Sequence, residues 1–218
     1  MSFVVTVDGP AGAGKSTVAR RVAKQLGVRY LDTGAIYRAV AYYLDTKGVA
    51  PNESEELTAA LSAINVRLES KGIFVNDEDV TELIRSPRVD RVVSAYAALK
   101  PVRSALLEMQ RAQAGYGDLI VDGRDTGTVV FPNADLKFFL TASPETRAER
   151  RYRELLKKGE AVVYQEVLAW MRERDRADSA REVAPLREPV EAIHIDTSSM
   201  TENEVINELS FIVQRVIS

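Results

Sequence analysis

Cysteine is absent from this 218-residue chain, which excludes disulfides and thiolate metal centres and is compatible with a reducing compartment. An excess of basic charge is also missing. Lysine and arginine total 29 against 32 aspartates and glutamates, a formal net charge of −3. A protein whose main work is gripping a nucleic-acid polymer needs a basic face, so no such partner is expected, although local basic clusters can still hold small phosphates. No apolar run approaches the roughly 18 residues of a membrane span, and no membrane partner is expected. The opening residues show no basic stretch ahead of an apolar core, so no targeting signal is read there and the chain is expected to be soluble and cytoplasmic. The sole histidine, His194, lies in a strand-like run and reads as packed or partly exposed rather than catalytic. Neither Trp170 nor the four methionines form a recognisable ligand box. The rest of the composition, 45% hydrophobic and 28% charged, is that of a globular protein large enough for a sizeable core.

What is present begins at the amino end. Gly9-Pro10-Ala11-Gly12-Ala13-Gly14-Lys15-Ser16, with Thr17 behind it, meets every fixed position of G-x-x-x-x-G-K-[ST]. The run is entered from apolar residues at 4–7 and left through a helix-like pattern, the setting in which this motif binds a nucleoside triphosphate. Its glycines let backbone N–H groups converge on phosphate with no Cβ in the way, and the helix starting near Lys15 adds its positive end. Lys15 is placed to reach the β- and γ-phosphates and the Ser16 hydroxyl to ligate Mg²⁺. The plainer alternative, a glycine-rich connecting turn, is disfavoured by the agreement of motif and context. The loop by itself names no reaction, because kinases, GTPases and ATP-driven machines share it.

Five short apolar runs, at 3–7, 28–31, 119–121, 136–140 and 192–195, read as strands that mostly alternate with helices. Val18, Val22 and Leu26 form one helical stripe with Gly27 as its stop, and Ile36, Ala39, Val40, Tyr43 and Leu44 form another. Ser143-Pro144 reads as a helix cap with proline in the first turn, and Thr201 with Glu204 as a capping box before Val205, Leu209, Ile212 and Val216. Such alternation implies an α/β fold with a parallel sheet covered on both faces. One region breaks it. Val66, Leu68, Ile73 and Val75, around a Ser70-Lys71-Gly72 turn, look like a hairpin, followed by an Asn76-Asp77 turn and helical patterns to about residue 115. This reads either as an insertion between core strands or as an edge meander with no chemical role.

Four polar clusters fall beyond strand ends or on charged helices, where an open α/β sheet binds ligands. After the second strand, Asp32 or Thr33 can serve only as a helix cap and Arg38 only as a solvated residue. Alternatively, Thr33 reads a base edge and Arg38 forks onto a phosphate. Asp122-Gly123-Arg124-Asp125-Thr126-Gly127 follows the third strand. Asp122 there occupies the place of an acid that orients Mg²⁺-bound water, Arg124 suits an acceptor phosphate and Asp125 an exocyclic amine, unless the segment is only a turn. Arg174, Asp178 and Arg181 share a helical face if the helix runs that far, and an ordinary salt-bridge ladder is the favoured reading of them taken alone. Arg147, Arg150, Arg151 and Arg153 lie on a segment that could cap a triphosphate, but Arg150 and Arg151 point in different directions on a helix.

Taken together, GPAGAGKST, LDTGAIYR, DGRDTGTVVFP, ERD at 173–175 and APL at 184–186 resemble the bacterial cytidylate kinases over nearly the whole chain. The resemblance implies a P-loop fold with a five-stranded parallel sheet flanked by helices. It implies a core at about 1–60, 96–146 and 185–218, an inserted monophosphate-binding subdomain at about 61–95, and a lid at about 147–184. The implied activity is transfer of a phosphoryl group from ATP, bound with Mg²⁺, to CMP or dCMP by a protein expected to be a monomer. The same resemblance places Thr33, Arg103 and Asp125 around cytosine, Arg38 and Arg124 near the acceptor phosphate, and Arg174, Asp178 and Arg181 near the sugar or lid, reversing the salt-bridge preference. Tyr37 fits as a pocket-lining aromatic or as core, and Arg147, Arg150 and Arg151 are expected to act with Lys15 and Arg124 on the moving group. Three rivals are weighed: a P-loop kinase for another small acceptor; a GTPase-type switch, for which the chain lacks an N-K-x-D guanine motif; and a non-catalytic nucleotide-binding scaffold, which leaves Lys15, Ser16 and the lid arginines without explanation.

Overall fold

The computed structural model describes residues 2–69 and 72–217. Along the chain run β1 (Val4–Asp8), α1 (Lys15–Leu26), β2 (Arg29–Asp32), α2 (Thr33–Thr46) and α3 (Glu55–Ser62). Next come β3 (Val66–Glu69), β4 (Gly72–Val75), β5 (Glu78–Asp79), α4 (Pro87–Ala98) and α5 (Lys100–Ala112). The last stretch holds β6 (Leu119–Asp122), β7 (Leu136–Thr141), α6 (Pro144–Lys157), α7 (Tyr164–Ser179), β8 (Ile193–Asp196) and α8 (Glu202–Ile217). Two compact units result, Met1–Leu31 with Gln113–Ser218, and Asp32–Ala112.

The first unit is built on a five-stranded sheet of order β2-β6-β1-β7-β8. Strand β1 pairs in parallel with both β6 and β7, and β7 in parallel with β8. All five residues of β1 and all four of β6 are buried, as a strand covered on both faces requires. Val5, Val7, Ile120, Phe138, Leu140 and Ile195 of the sheet pack with Val18 and Val22 of α1 and Leu209 and Val213 of α8 into one core. Every one of the five apolar runs expected to be strands is one. The helix signals hold as well: Gly27 stops α1 in the left-handed region at φ 69°, and the Ser143 side chain accepts from the Thr146 amide at the head of α6. At the head of α8, the Thr201 hydroxyl accepts from the Glu204 amide at 3.3 Å while the Glu204 carboxylate accepts from the Thr201 amide at 2.7 Å.

In the second unit α2 packs on α4 and on β4. The anticipated hairpin is present with Val66 opposite Val75 and Leu68 opposite Ile73, although Ser70 and Lys71 of its turn lie outside the described residues. Asn76 and Asp77 turn with φ of 47° and 71° and lead into β5, a two-residue third strand with no apolar signature of its own. The 61–95 segment lies wholly inside this unit, which also takes in α2, α3 and α5. None of the described helices is long and apolar enough to cross a membrane.

Candidate active site

In the first unit the glycine-rich loop leaves β1 and turns into α1. Gly9 sits at φ 142°, and a Cβ there would lie 1.9 Å from the Leu140 carbonyl oxygen, so only glycine lets the loop pass β7 this closely. Gly12 and Gly14 also have positive φ, and Gly14 caps α1 without any side-chain bond to its first-turn amides. Lys15 is 5% exposed, and its ammonium donates to the Pro10 carbonyl oxygen at 2.8 Å. Burial pushes its pKa down to about 7, Arg124 pushes the same way, and Asp122, Asp8 and Asp178 partly restore the charge.

The Ser16 hydroxyl donates to Asp122 Oδ2 at 2.7 Å. Asp122 ends β6, the strand beside β1, and its other oxygen accepts from the Tyr30 hydroxyl at 2.6 Å. Tyr30 comes from β2, with the Arg20 guanidinium 5.4 Å from its ring centroid. A serine hydroxyl and a buried carboxylate are hard oxygen groups, the donor set that suits Mg²⁺ completed by phosphates and water. No cluster of three or more acidic, histidine or cysteine ligands occurs among the described residues, so these side chains offer no all-protein metal cage.

Beyond β6, Arg124 donates from Nε to Asp178 Oδ2 at 2.9 Å, and Arg181 pairs with the other oxygen of the same carboxylate. Asp178 is 1% exposed. Burial opposes its charge, yet Arg124, Arg181 and Arg174 outweigh that and hold its carboxyl below the usual aspartate range. Helix α7 ends at Ser179, so Arg181 reaches Asp178 from beyond the helix rather than along its face. Arg174 lies with its guanidinium 5.4 Å from the Trp170 ring centroid. Asp125 is buried and its carbonyl oxygen accepts from the amides of Val129 and Val130 in the π-helical turn Thr126–Val130.

The α6 arginines divide. Arg147, 3% exposed, forks onto Asp175 of α7 at 3.0 and 2.6 Å and donates to the backbone oxygens of Ala11 and Ala142. Arg150 donates to the Thr197 hydroxyl and carbonyl at 3.0 and 2.6 Å, while Arg151 pairs with Glu154 on its own helix. Arg147 is thus tied to the phosphate-loop backbone at Ala11, at 3.1 Å, and Arg150 reaches the Gly12 carbonyl oxygen at 3.5 Å.

The second unit carries Thr33, Tyr37, Arg38 and Arg103. Asp32 caps α2, accepting from the Ala35 amide at 2.8 Å, and Thr33 behind it is buried. Arg38 bonds Asp90 Oδ1 at 2.5 Å and the Ile84 carbonyl oxygen at 3.1 Å. Arg103 lies 5.2 Å from the Tyr37 ring centroid and donates to the Ala97 carbonyl oxygen at 3.1 Å. The Asp90 partner of Arg38 had no motif to announce it.

Three further residues were given no partner or role from the sequence, although Asp175 falls in the ERD run. Tyr30 and Asp175 hold Asp122 and Arg147 in place, and no local spacing betrays such distant pairs. Asp8 had a signal: it is an acid at the end of an otherwise apolar strand, directly before Gly9. It is fully buried and accepts from the Thr126 amide at 2.9 Å, the Thr126 hydroxyl at 2.8 Å and the Gly127 amide at 2.7 Å. Burial pushes its pKa up, against the pull of those donors.

A lysine and serine opening α1, backed by an acid from the adjacent strand of a parallel sheet, are the phosphate-handling parts of P-loop kinases, and that is the class of protein seen here. Solved structures agree on the fold. An uncharacterized protein from Eubacterium ventriosum ATCC 27560 aligns with a TM-score of 0.51 at 12% identity, covering 99% of this chain and 98% of that one. A gluconokinase from Sinorhizobium meliloti 1021 aligns with a TM-score of 0.50 at 15% identity, covering 99% and 93%. Sequence narrows the class. The model of the cytidylate kinase family matches residues 5–215. The cytidylate kinase of Clostridium tetani (strain Massachusetts / E88) is 44% identical over 100% of this chain and 96% of its own length, and that of Thermotoga neapolitana is 45% identical over 98% of each. The chain belongs to the cytidylate kinase family.

Proposed function

We propose that this enzyme transfers the γ-phosphoryl group of ATP to CMP or dCMP, giving ADP and the nucleoside diphosphate. The observation that carries the reading is the meeting of Lys15, Ser16 and Asp122 at the glycine-rich loop, in the unit where Asp178 holds Arg124 and Arg181 as a cationic pair. An acceptor phosphate is already largely ionised near neutral pH, so an oxygen of CMP can attack the γ-phosphorus without a strong general base. The new P–O bond forms as the bond to the β-phosphate oxygen breaks, and ADP leaves. Positioning and charge neutralisation then dominate the barrier. The Lys15 ammonium leaves the Pro10 carbonyl for the β- and γ-phosphates, and Arg124 turns its guanidinium to the acceptor phosphate. The Ser16 hydroxyl, with Asp122 behind it, would hold the Mg²⁺ that comes with ATP, and that ion would supply further neutralisation of phosphate charge.

Asp125 is assigned to the exocyclic amine of cytosine. Uracil presents a carbonyl at the same place, acceptor against acceptor, which disfavours it beside a buried carboxylate. Thr33 and Arg103 are assigned to the base, Tyr37 to the pocket wall and Arg38 to phosphate. Arg174, Asp178 and Arg181 are assigned to the sugar and the closing segment 147–184, with Arg147, Arg150 and Arg151 as its further guanidiniums.

A coupled ADP-release assay across CMP, dCMP, UMP, AMP and sugar acids tests this. Turnover confined to the cytosine nucleotides supports it, and preference for UMP, AMP or a sugar acid overturns it.

A further inference from the structure

We propose that Asp8 is a positioning residue for the acceptor side of the reaction. It joins the first residue of the phosphate loop to the segment that presents Arg124 and Asp125. The inference rests on the assignment of Arg124 and Asp125 to the acceptor. Asp8 is the last residue of β1, and the next residue, Gly9, opens the loop. Its two carboxylate oxygens take three donors from two consecutive residues: Oδ1 accepts from both the amide and the hydroxyl of Thr126, and Oδ2 accepts from the Gly127 amide. The tie therefore falls immediately after Asp125 and at the start of the turn whose amides bond back to the Asp125 carbonyl.

The fit leaves no slack. A Cβ on Gly127 would stand 2.8 Å from Thr6 Oγ1, 2.9 Å from Pro189 Cγ and 3.2 Å from Asp8 Oδ2, so the backbone at 127 is pressed against the end of β1. Thr126 and Gly127 are both buried, and no water shell competes for the carboxylate. Such a device fixes where two acceptor-binding side chains emerge relative to the donor loop, the relation that an in-line transfer needs held within a fraction of an ångström. Asp8 itself has no exposed surface, which is why it acts through its neighbours.

The test is Asp8→Asn in the full chain, assayed with the acceptor that gives the wild type its turnover. The amide keeps the shape of the carboxyl but places an NH₂ against one of the three donors. Loss of a charge-assisted bond should raise KM for the acceptor by about tenfold or more and lower kcat, with KM for ATP changed by less than about threefold. A second pair isolates the tie without altering the charge. Thr126→Val removes only the hydroxyl donor and should give a smaller change of the same pattern, and Thr126→Ser, which retains that donor, should return acceptor KM to within about twofold of wild type. If Asp8→Asn fails to fold, this pair decides the matter alone. Equal rises in both KM values, an effect confined to ATP, or Thr126→Ser no better than Thr126→Val each overturn the positioning role. A wild type that turns over some other acceptor instead overturns the CMP assignment, and the same KM comparison is then read on that acceptor.

Discussion

Lys15 gives the sharpest test of the electrostatics, because its charge differs between the folded and unfolded chain. In the unfolded chain it titrates near 10.5, and burial in the ligand-free fold pushes it down to about 7. Between those values the unfolded state holds a proton that the folded state lacks, so stability rises with pH across the interval. Each pH unit there adds about 1.4 kcal/mol for one proton. From about pH 7, where the folded lysine is half charged, to about pH 9, this single group should raise the unfolding free energy by about 2 kcal/mol. Lys15→Met removes the titrating group while keeping an unbranched apolar chain in the same space, so its stability curve should be flatter by that amount. Urea unfolding of both proteins at a series of pH values in ligand-free buffer measures the difference. Phosphates should restore the charge, so binding of ATP at about pH 8.5 should take up close to one proton, seen as a buffer-dependent heat that Lys15→Met abolishes. Parallel stability curves for the two proteins, or heats independent of the buffer, would refute the reasoning.

Asp125→Ala should raise KM for CMP by about tenfold or more while leaving KM for ATP within about threefold, and steady-state kinetics with each substrate varied in turn checks the split. Tyr30→Phe strips one donor from Asp122 and should cost about 1 kcal/mol of stability and weaken Mg²⁺-dependent ATP binding several-fold, read from titrations with and without the metal. Gly9→Ala forces a Cβ against the Leu140 carbonyl at 1.9 Å and should destabilise the fold by about 3 kcal/mol or more, seen as a lowered urea midpoint with the slope unchanged.

The phosphate loop, the sheet strands and the helix ends were legible because each is written in local chemistry: a fixed motif, a short apolar run, a cap three residues from its partner. Gly27, Ser143 and the Thr201–Glu204 pair needed no tertiary knowledge to identify. Strand β5 was illegible since Glu78 and Asp79 are exposed and join the sheet through backbone bonds alone. The pairings of Asp8, Tyr30, Asp90 and Asp175 were illegible for a different reason, although Asp8 and the ERD run at 173–175 could be seen as residues. Each meets its site residue across 28 to 119 positions of chain, and only the packed fold brings such residues together. The motif reading therefore found the groups assigned to substrate sooner than the residues that hold them.

The seat of Arg147 has a consequence for how damage would spread. One guanidinium grips a carboxylate of α7 and, at the same moment, the main-chain oxygen of Ala11 in the donor loop. A lesion anywhere along α7 that slackened that grip would loosen the cradle for ATP while every phosphate-facing group stayed chemically intact. Faults in nucleotide retention can thus originate in the packing of α7 rather than in the glycine-rich loop itself.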